Sequence, residues 1–250
     1  MTEKGYAVIT GASSGIGAAT ARALAGEGYH VVATARRGDK LHELAGTNSL
    51  IDVLEIDVTQ QADIDRLDAY LADKDVTVLF ANAGGAFDAL NVADADINAW
   101  EKTLDLNVVG LVRTVKMGIP HLVKSGRGSI VLTGSTAGRI VYETGGSYTA
   151  AKHAVAAIAE TLRLELCGEP VRVIELAPGM VKTDEFAFNR FAGDRSKAAK
   201  IYEGVALPLT ADDVAEAVRW SVELPHHFNI DLMVIRPLAQ AAQHKVHRVL

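Results

Sequence analysis

The segment YAVITGASSGIG, residues 6–17, decides the fold. Its first part, Tyr6–Thr10, is a short apolar run rich in β-branched residues, as buried strands are. Its second part carries Gly11, Gly15 and Gly17 and opens into the helical residues 18–25. A strand that turns tightly into a helix presents free amides and the positive end of the helix dipole to a pyrophosphate. The glycine spacing differs from G-x-G-x-x-G, and the alternative is an ordinary glycine-rich turn.

Six further apolar runs follow, with segments of helical spacing between them. The seven predicted strands are Tyr6–Thr10, His30–Thr34, Val53–Ile56, Val76–Phe80, Ile130–Thr133, Val171–Leu176 and Leu232–Ile235. Several are apolar on both faces, which is typical of a parallel sheet covered on both sides. Because strand and helix alternate without a linker or repeat, we expect one doubly wound α/β domain over residues 1–250.

Two longer segments stand out from this alternation. The longest predicted helix runs from about Ile97 to Lys124, with Pro120 near its end. The segment at about 183–209 has no strand pattern and is long for a connection. Loops of that length in a compact domain are often lids or substrate walls, so we interpret it as a substrate-loop region.

The composition excludes several classes of protein. The 250 residues carry 25 Lys and Arg against 31 Asp and Glu, a net charge of −6, whereas nucleic-acid binders normally show a basic surplus. No apolar run approaches the roughly 18 residues that span a bilayer, and the first residues lack the pattern of a secretory signal. One cysteine and eight scattered histidines show no ligand spacing. We therefore expect a soluble cytoplasmic protein with no metal, membrane or nucleic-acid partner.

The end of the second predicted strand indicates which dinucleotide binds. A site for NAD usually has an acidic residue there, which binds the ribose 2′-hydroxyl. This chain has Ala35 followed by Arg36 and Arg37, and two guanidinium groups suit the 2′-phosphate of NADP(H). Asp39 would weaken that preference, and a solvated basic turn is the alternative reading.

Three polar side chains form a candidate catalytic set. Ser135 follows the fifth strand, at the sheet edge where ligands of open α/β sheets bind. Tyr148 and Lys152 are four residues apart on a predicted helix, so they share one face. The Lys152 ammonium is expected to lower the pKa of the Tyr148 phenol, which is about 10 when unperturbed. Taken alone, a Tyr-x-x-x-Lys pair is also common on solvated helices.

Taken in order, the motifs resemble one family. They are Thr10–Gly17, Asn82–Gly84, Asn107–Gly110, Ser135, Tyr148-x-x-x-Lys152 and Pro178-Gly179. Together they resemble the short-chain dehydrogenase/reductase family over essentially the whole chain. The resemblance implies a Rossmann-type fold with seven parallel strands. The family often has a second asparagine where Ala81 stands, a departure that leaves Asn82 available.

The resemblance also implies a role for each motif residue. Tyr148 would be the proton donor and acceptor, Ser135 would bind the substrate oxygen, Lys152 would bind the nicotinamide ribose, and Asn107 would support a water-linked proton path. Together with the glycine segment and the two arginines, the expected NADP(H) contacts are Gly11, Ser13, Ser14, Gly15, Ile16, Gly17, Arg36, Arg37, Asp57, Val58, Asn82, Ala83, Gly84, Tyr148, Lys152, Pro178, Gly179, Val181 and Thr183. Ser135 and Tyr148 are also the expected substrate contacts.

A narrower likeness points to a subgroup. Ala33–Arg37, Gly134–Gly138, Val181–Phe186, Phe191–Asp194 and a tail with Pro225-His226, Pro237 and Val246–Arg248 are similar to the NADP-dependent 3-hydroxy acid dehydrogenases. That subgroup acts on serine, allo-threonine and related 3-hydroxy acids, including the 3-hydroxypropionate type, and its members are tetramers. The resemblance thus implies a homotetramer, with a homodimer as the alternative.

The sequence leaves the substrate open. Ketone and aldehyde reductases share the tail, so a reductase of a bulkier ketone or aldehyde is one alternative. A nicotinamide-binding sensor without turnover is another, although the intact set of Ser135, Tyr148 and Lys152 is not needed by a sensor. Arg139, Arg190 and Arg195 lie near the expected substrate side, and which of them, if any, binds a substrate carboxylate stays open.

Overall fold

Seven parallel strands form one sheet in the order β3-β2-β1-β4-β5-β6-β7. The computed structural model describes residues 4–191 and 193–249. The strands are β1 Tyr6–Thr10, β2 His30–Ala35, β3 Ile51–Glu55, β4 Val76–Ala81, β5 Gly128–Thr133, β6 Val171–Pro178 and β7 Leu232–Ile235. The predicted Rossmann-type α/β fold with seven parallel strands is confirmed.

Helices cover both faces of this sheet. They are α1 Gly15–Gly26, α2 Gly38–Ala45, α3 Gln61–Leu71, α4 Ile97–Leu104, α5 Gly110–Ser125, α6 Gly146–Glu165, α7 Asp184–Arg190, α8 Arg195–Lys200 and α9 Ala211–Glu223. Apolar residues of α1, α2 and α9 pack on one face, and those of α3, α5 and α6 pack on the other. Within the part of the chain that the structure describes, no helix has the length and apolar character to cross a bilayer.

The central strands are buried on both faces, as their sequences predict. In β1, Val8 packs into the core on one side of the sheet and Ile9 into the core on the other, and both are fully buried. Each such side chain contributes about 1.5–3 kcal/mol by leaving water. The edge strand β3 begins two residues before its predicted start at Val53, because its half-exposed pattern carries a weaker apolar signal.

The longest helix differs from its prediction. A π-helical turn, Asp105–Val109, separates α4 from α5, and α5 continues through Pro120 to Ser125. Proline removes a single backbone donor, and the helix instead ends where Gly126 adopts the left-handed conformation with φ of 71°. This arrangement places the π turn, with Asn107 in it, beneath the loop that follows β4.

The crevice for a ligand lies between β1 and β4, where the strand order reverses. Two loops meet there and are joined by hydrogen bonds. The backbone amides of Asn82 and Ala83 each donate to Thr10 Oγ1 at 3.0 Å, and Asn82 Nδ2 donates to the Thr10 carbonyl oxygen at 2.9 Å. The strand ends therefore hold the glycine segment in a fixed position.

The segment at 183–209 contains α7 and α8. Its two ends are held together, because the Lys182 amide donates to the Leu209 carbonyl oxygen at 2.7 Å and the Leu209 amide donates to the Met180 carbonyl oxygen at 3.1 Å. Between these ends most side chains are half-buried or exposed. The segment thus forms a wall that is attached at its base.

Candidate active site

A cavity of about 420 Å³ opens at the carboxyl ends of the strands. The loops after β1, β4, β5 and β6 line one side, and α7 with the C-terminal tail lines the other. The predicted cofactor residues that line it are Gly11, Ser14, Gly15, Ile16, Asn82, Ala83, Gly84, Tyr148, Lys152, Pro178, Gly179, Val181 and Thr183. Most of the predicted set therefore converges on one space.

The glycine segment has the shape that a diphosphate needs. Gly11 and Gly15 adopt positive φ angles of 68° and 51°, which side chains of L residues rarely tolerate. A Cβ atom on Gly17 would lie 2.4 Å from the Gly11 carbonyl oxygen, so only glycine allows the helix to start this close to the loop. A Cβ atom on Gly15 would meet nothing nearer than Thr183, at 3.5 Å, so this face of the loop is open. The segment fits the phosphates of a dinucleotide.

The two arginines after β2 lie at one end of this segment. Arg37 Nε and Nη2 donate to Ser13 Oγ at 3.1 and 2.7 Å, Nη2 also donates to Ser14 Oγ at 2.9 Å, and Nη1 pairs with Glu185 of α7. Arg36 is more exposed, and its Nη1 is 3.9 Å from Asp57 Oδ2. Guanidinium groups and serine hydroxyls together suit a phosphate at the ribose. The residues present therefore fit NADP(H).

Other predicted contacts lie behind or beside the cavity. The Asp57 carboxylate accepts from the amide and hydroxyl of Thr59, at 2.9 and 2.8 Å. Val58 is buried, and its Cγ2 is so close to Gly110 that a Cβ atom there would lie 2.9 Å away. Their expected contact with NADP(H) stays a prediction.

Asn107 is buried in the π turn and braces the loop after β4. Its Nδ2 donates to the carbonyl oxygens of Gly85 and Thr103, each at 2.8 Å, and its Oδ1 accepts from the Gly85 amide at 3.2 Å. A Cβ atom on Gly84 would lie 2.7 Å from the same Oδ1. In this structure Asn107 positions Gly84 and Gly85, and its part in a proton path stays a prediction.

Ser135, Tyr148 and Lys152 come together in the cavity. The Ser135 hydroxyl accepts from the Ala137 amide at 3.1 Å and donates to the Pro178 carbonyl oxygen at 3.5 Å. Lys152 Nζ donates to the Thr133 carbonyl oxygen at 2.8 Å and lies 5.6 Å from the centre of the Tyr148 ring. Two hydroxyls and one amine therefore face one space beside the glycine segment.

The start of α6 is fixed by contacts on both sides of Tyr148. The buried Asp88 accepts a hydrogen bond from the Ser147 hydroxyl. A Cβ atom on Gly146 would lie 2.7 Å from the Trp100 ring, so glycine lets α6 approach α4. The Phe186 ring meets the Tyr148 ring edge-on, with the ring centres 5.1 Å apart. The start of α6 is thus fixed by Asp88 and α4, and the Tyr148 ring packs against α7.

Comparison with known proteins identifies the family. The family model described as short chain dehydrogenase matches residues 5–190, about three quarters of the chain. The chain belongs to the short-chain dehydrogenase family. This confirms the family predicted from the motifs, and it makes the protein an oxidoreductase.

Relatives match this dehydrogenase over almost its whole length. An uncharacterized oxidoreductase of Mycobacterium tuberculosis is 48% identical over 241 residues, which cover 96% of this chain and 94% of the relative. The NADP-dependent 3-hydroxy acid dehydrogenase of Salmonella typhi is 38% identical over 247 residues, which cover 96% and 98%. The solved closed form of serine dehydrogenase complexed with NADP⁺ has a TM-score of 0.92 and 35% identity, covering 98% of this chain and 100% of that one. The predicted likeness to the 3-hydroxy acid dehydrogenases is confirmed.

The electrostatics of the dehydrogenase site differ from the expectation. Burial raises the pKa of the Tyr148 phenol well above its ordinary value, more than the Ser135 hydroxyl and the charge of Arg190 lower it. Burial also lowers the pKa of Lys152 to about 8, while the charge of Glu175 raises it. The net shift of the Tyr148 pKa is therefore opposite to the expected lowering, because the desolvation of the buried phenolate outweighs the groups that favour it.

The structure also reveals lining residues that the motifs do not predict. Among them are Tyr142, Asn189, Arg190, Gln240, Gln243 and His244. The tail reaches the site through Gln240, whose Oε1 accepts from the Met180 amide at 2.8 Å, and through Gln243, whose Oε1 accepts from the Thr136 hydroxyl at 2.8 Å. Of these residues only Arg190 carries a signal in the sequence, as one of three arginines near the expected substrate side.

Proposed function

We propose that this dehydrogenase uses NADP(H) to move hydride between nicotinamide and the hydroxyl-bearing carbon of a small 3-hydroxy acid, of the serine, allo-threonine or 3-hydroxypropionate type. The observation that carries the proposal is the meeting of Ser135, Tyr148 and Lys152 in one cavity with the glycine segment. The names of the relatives support both the cofactor and the substrate class.

The hydroxyls of Ser135 and Tyr148 bind the substrate oxygen in this proposal. Ser135 and Tyr148 line the same cavity, so a substrate oxygen placed between their hydroxyls can bond to both. When bound, NADP(H) supplies or accepts the hydride. In the direction of reduction Tyr148 gives its proton to the carbonyl oxygen, and in oxidation it takes the proton from the hydroxyl.

Lys152 supports this proton transfer by its charge. With a pKa of about 8 it is mostly protonated at pH 7, and an ammonium near the phenol favours the phenolate that remains after the proton has left. Its bond to the Thr133 carbonyl oxygen fixes the amine at the cavity wall. We assign to it the nicotinamide ribose as well, with Asp57, Val58 and Asn82 on the adenosine side and Pro178–Phe186, including Thr183, beside the nicotinamide.

The remaining parts of the proposal concern the whole molecule. The segment at 183–209 forms the wall that selects the substrate, since α7 contributes Glu185, Phe186 and Arg190 to the cavity. A homotetramer in the cytoplasm accords with the likeness to the 3-hydroxy acid dehydrogenases, and a homodimer is the alternative.

A second candidate is a reductase of a bulkier ketone or aldehyde. It is favoured by the apolar and aromatic lining of the same cavity, which includes Tyr142, Met180, Phe186, Ile201 and Tyr202. Such a lining accommodates a larger apolar substrate without a carboxylate.

A screen of alcohols separates the two candidates. Formation of NADPH is followed by absorbance with serine, allo-threonine, 3-hydroxypropionate, 3-hydroxybutyrate and secondary alcohols that lack a carboxylate. We expect the highest kcat/KM with one of the four acids. Activity confined to the alcohols without a carboxylate would reject the 3-hydroxy acid proposal and favour the second candidate.

A further inference from the structure

We propose that Arg190 is the residue that binds the substrate's carboxylate, an inference that rests on the proposed 3-hydroxy acid function and deepens it. In a 3-hydroxy acid the carboxyl carbon is two bonds from the hydroxyl-bearing carbon. A receptor for the carboxylate must therefore share a cavity with Ser135 and Tyr148, and Arg190 does.

The hydrogen bonds of Arg190 leave donors free for an anion. Nη1 donates to the Tyr142 hydroxyl at 3.0 Å and Nη2 to the Thr144 carbonyl oxygen at 3.1 Å, and both acceptors are uncharged. Nε is buried and has no hydrogen-bond partner among residues 4–191 and 193–249. A guanidinium has five N–H donors, and an unpaired buried donor is costly. A carboxylate that entered the cavity would give Arg190 the charged acceptor that its present neighbours lack, after a modest turn of the guanidinium.

The charge of Arg190 already reaches the catalytic phenol. It lowers the pKa of Tyr148, in opposition to burial, which raises it. The guanidinium and the phenol also line one cavity, in which a single substrate molecule would meet both groups. Bidentate pairs between arginine and carboxylate also fix the orientation of the bound group, which presents the hydroxyl-bearing carbon in one way only.

The other two arginines of the sequence analysis are engaged elsewhere. Arg139 pairs with the buried Glu175 of β6 through Nη2, and its Nη1 is 3.5 Å from Glu160. Arg195 of α8 lies over the Phe188 ring, 5.2 Å from its centre, and is not among the residues that line the cavity. Arg190 is therefore the member of this group that the geometry selects.

The test compares a substrate that carries a carboxylate with its uncharged methyl ester. The best acid from the screen and its methyl ester are each oxidised by the wild type, Arg190→Gln and Arg190→Lys. We expect Arg190→Gln to lower kcat/KM for the acid by about 50- to 500-fold, because it removes charged hydrogen bonds, and to change kcat/KM for the ester by less than about threefold. Arg190→Lys keeps the charge but loses the fork of donors, so its loss with the acid should be smaller.

The matched control is Arg66→Gln, which removes the same charge from α3, where Arg66 pairs with Asp63 at 2.7 Å and does not line the cavity. This variant should leave kcat/KM for the acid and kcat/KM for the ester within about twofold of the wild-type values. Equal losses with acid and ester in Arg190→Gln, with unchanged affinity for NADP⁺, would show that Arg190 only supports Tyr142 and would overturn the inference. If Arg190→Gln does not fold, the same comparison is made with Arg190→Lys. An equal loss of kcat/KM for the acid and for the ester in that variant would also overturn the inference.

A binding measurement separates this inference from the proposed function. Propionate carries a carboxylate but no hydroxyl, and its affinity for the protein with NADP⁺ is measured by calorimetry. We expect binding to the wild type and at least about tenfold weaker binding to Arg190→Gln. If the wild type oxidises no acid but binds propionate through Arg190, the proposed function fails and the carboxylate site stands. Equal propionate affinity in both proteins would overturn the site.

Discussion

The two walls of the cavity are built in different ways. The wall at the sheet edge consists of loops that follow buried strands, and hydrogen bonds between Thr10, Asn82 and Ala83 lock these loops together. The opposite wall consists of the short helix α7, the residues Ile201 and Tyr202 that follow α8, and the C-terminal tail, and the segment with the two helices is attached at its base where Lys182 meets Leu209. The tail supports this second wall from outside, since the Val249 amide donates to the Gly204 carbonyl oxygen at 2.8 Å.

This difference accords with the proposed division between chemistry and substrate selection. A position that follows a buried strand is determined by the register of the whole sheet, so Ser135 and the glycine segment can be held to the accuracy that the proposed proton and hydride transfer would require. A wall of half-buried short helices can change its side chains at little cost to the core, and substrate selection is best placed there. Substitutions in the sheet-edge wall should therefore affect turnover, substitutions where the two walls meet should affect the choice of cofactor, and removal of the charge beneath the site should affect its pH dependence.

The largest effect is expected from Tyr148→Phe. The substitution keeps the ring against Phe186 and removes only the hydroxyl, so the affinity for NADP⁺ should stay within about threefold of the wild type. Turnover should fall by about 10²–10⁴-fold, the usual effect of removing a positioned acid–base group. Steady-state kinetics and titration of NADP⁺ binding measure the two quantities.

Tyr70→Phe is the control for this substitution, because the Tyr70 hydroxyl bonds to Asp52 on the surface, away from the cavity. It should leave turnover unchanged. Near-normal turnover in Tyr148→Phe would refute the role of the phenol in proton transfer. It would also refute the proposal that the sheet-edge wall carries the chemistry.

An intermediate effect is expected where the walls meet. Arg37 contacts Ser13 of the glycine segment and Glu185 of α7, and Arg36 lies beside it. The double variant Arg36→Ala/Arg37→Ala should lower kcat/KM with NADP⁺ by about 10- to 100-fold, since each charged hydrogen bond is worth about 1.5–3 kcal/mol. With NAD⁺, which lacks the 2′-phosphate, the change should be less than about threefold.

Arg127→Ala is the matched control, since Arg127 directly precedes β5 at the opposite end of the sheet and pairs with Asp75 at 2.6 Å. This variant should change neither kcat/KM with NADP⁺ nor kcat/KM with NAD⁺. An unchanged preference between the two coenzymes in the double variant would refute the assignment of the 2′-phosphate to these arginines.

The smallest effect is expected from Glu175→Gln. Glu175 is fully buried beneath the loop that carries Ser135, and its negative charge raises the pKa of Lys152, which burial lowers to about 8. Without that charge Lys152 loses its proton at lower pH. The alkaline limb of the pH profile of kcat/KM should therefore move to lower pH, by about half a pH unit or roughly 0.7 kcal/mol.

Glu160→Gln is the control for this shift. Glu160 shares Arg139 with Glu175 but is largely exposed, so solvent screens its charge and the limb should stay in place. If the alkaline limb does not move in Glu175→Gln, the Glu175 carboxylate does not raise the pKa of Lys152 in the working enzyme.

The sheet-edge wall could be predicted from the sequence because its residues follow local patterns. Apolar runs mark the strands, glycines mark the tight turn, and the spacing of Tyr148 and Lys152 follows from one turn of helix. The edge strand β3 and the π turn around Asn107 were predicted less well, since half-exposed strands carry weak patterns and a π turn needs only one additional residue.

The second wall could be predicted only in outline. Gln240 and Gln243 reach the site because the tail folds back over β6, and no periodicity in the sequence encodes such a return. The pKa of Tyr148 could not be predicted either, because the spacing gives the neighbouring charge but not the degree of burial, and burial is the larger effect here.

The most direct test of the central claim is a crystal structure of the protein with NADP⁺ and the best substrate acid from the screen, using Tyr148→Phe to prevent turnover. We predict that the nicotinamide lies beside residue 148, that Ser135 Oγ is within about 3.2 Å of the substrate hydroxyl, and that the removed phenol oxygen would have reached the same atom. A nicotinamide bound away from residue 148, or a substrate hydroxyl out of reach of Ser135, would contradict the account.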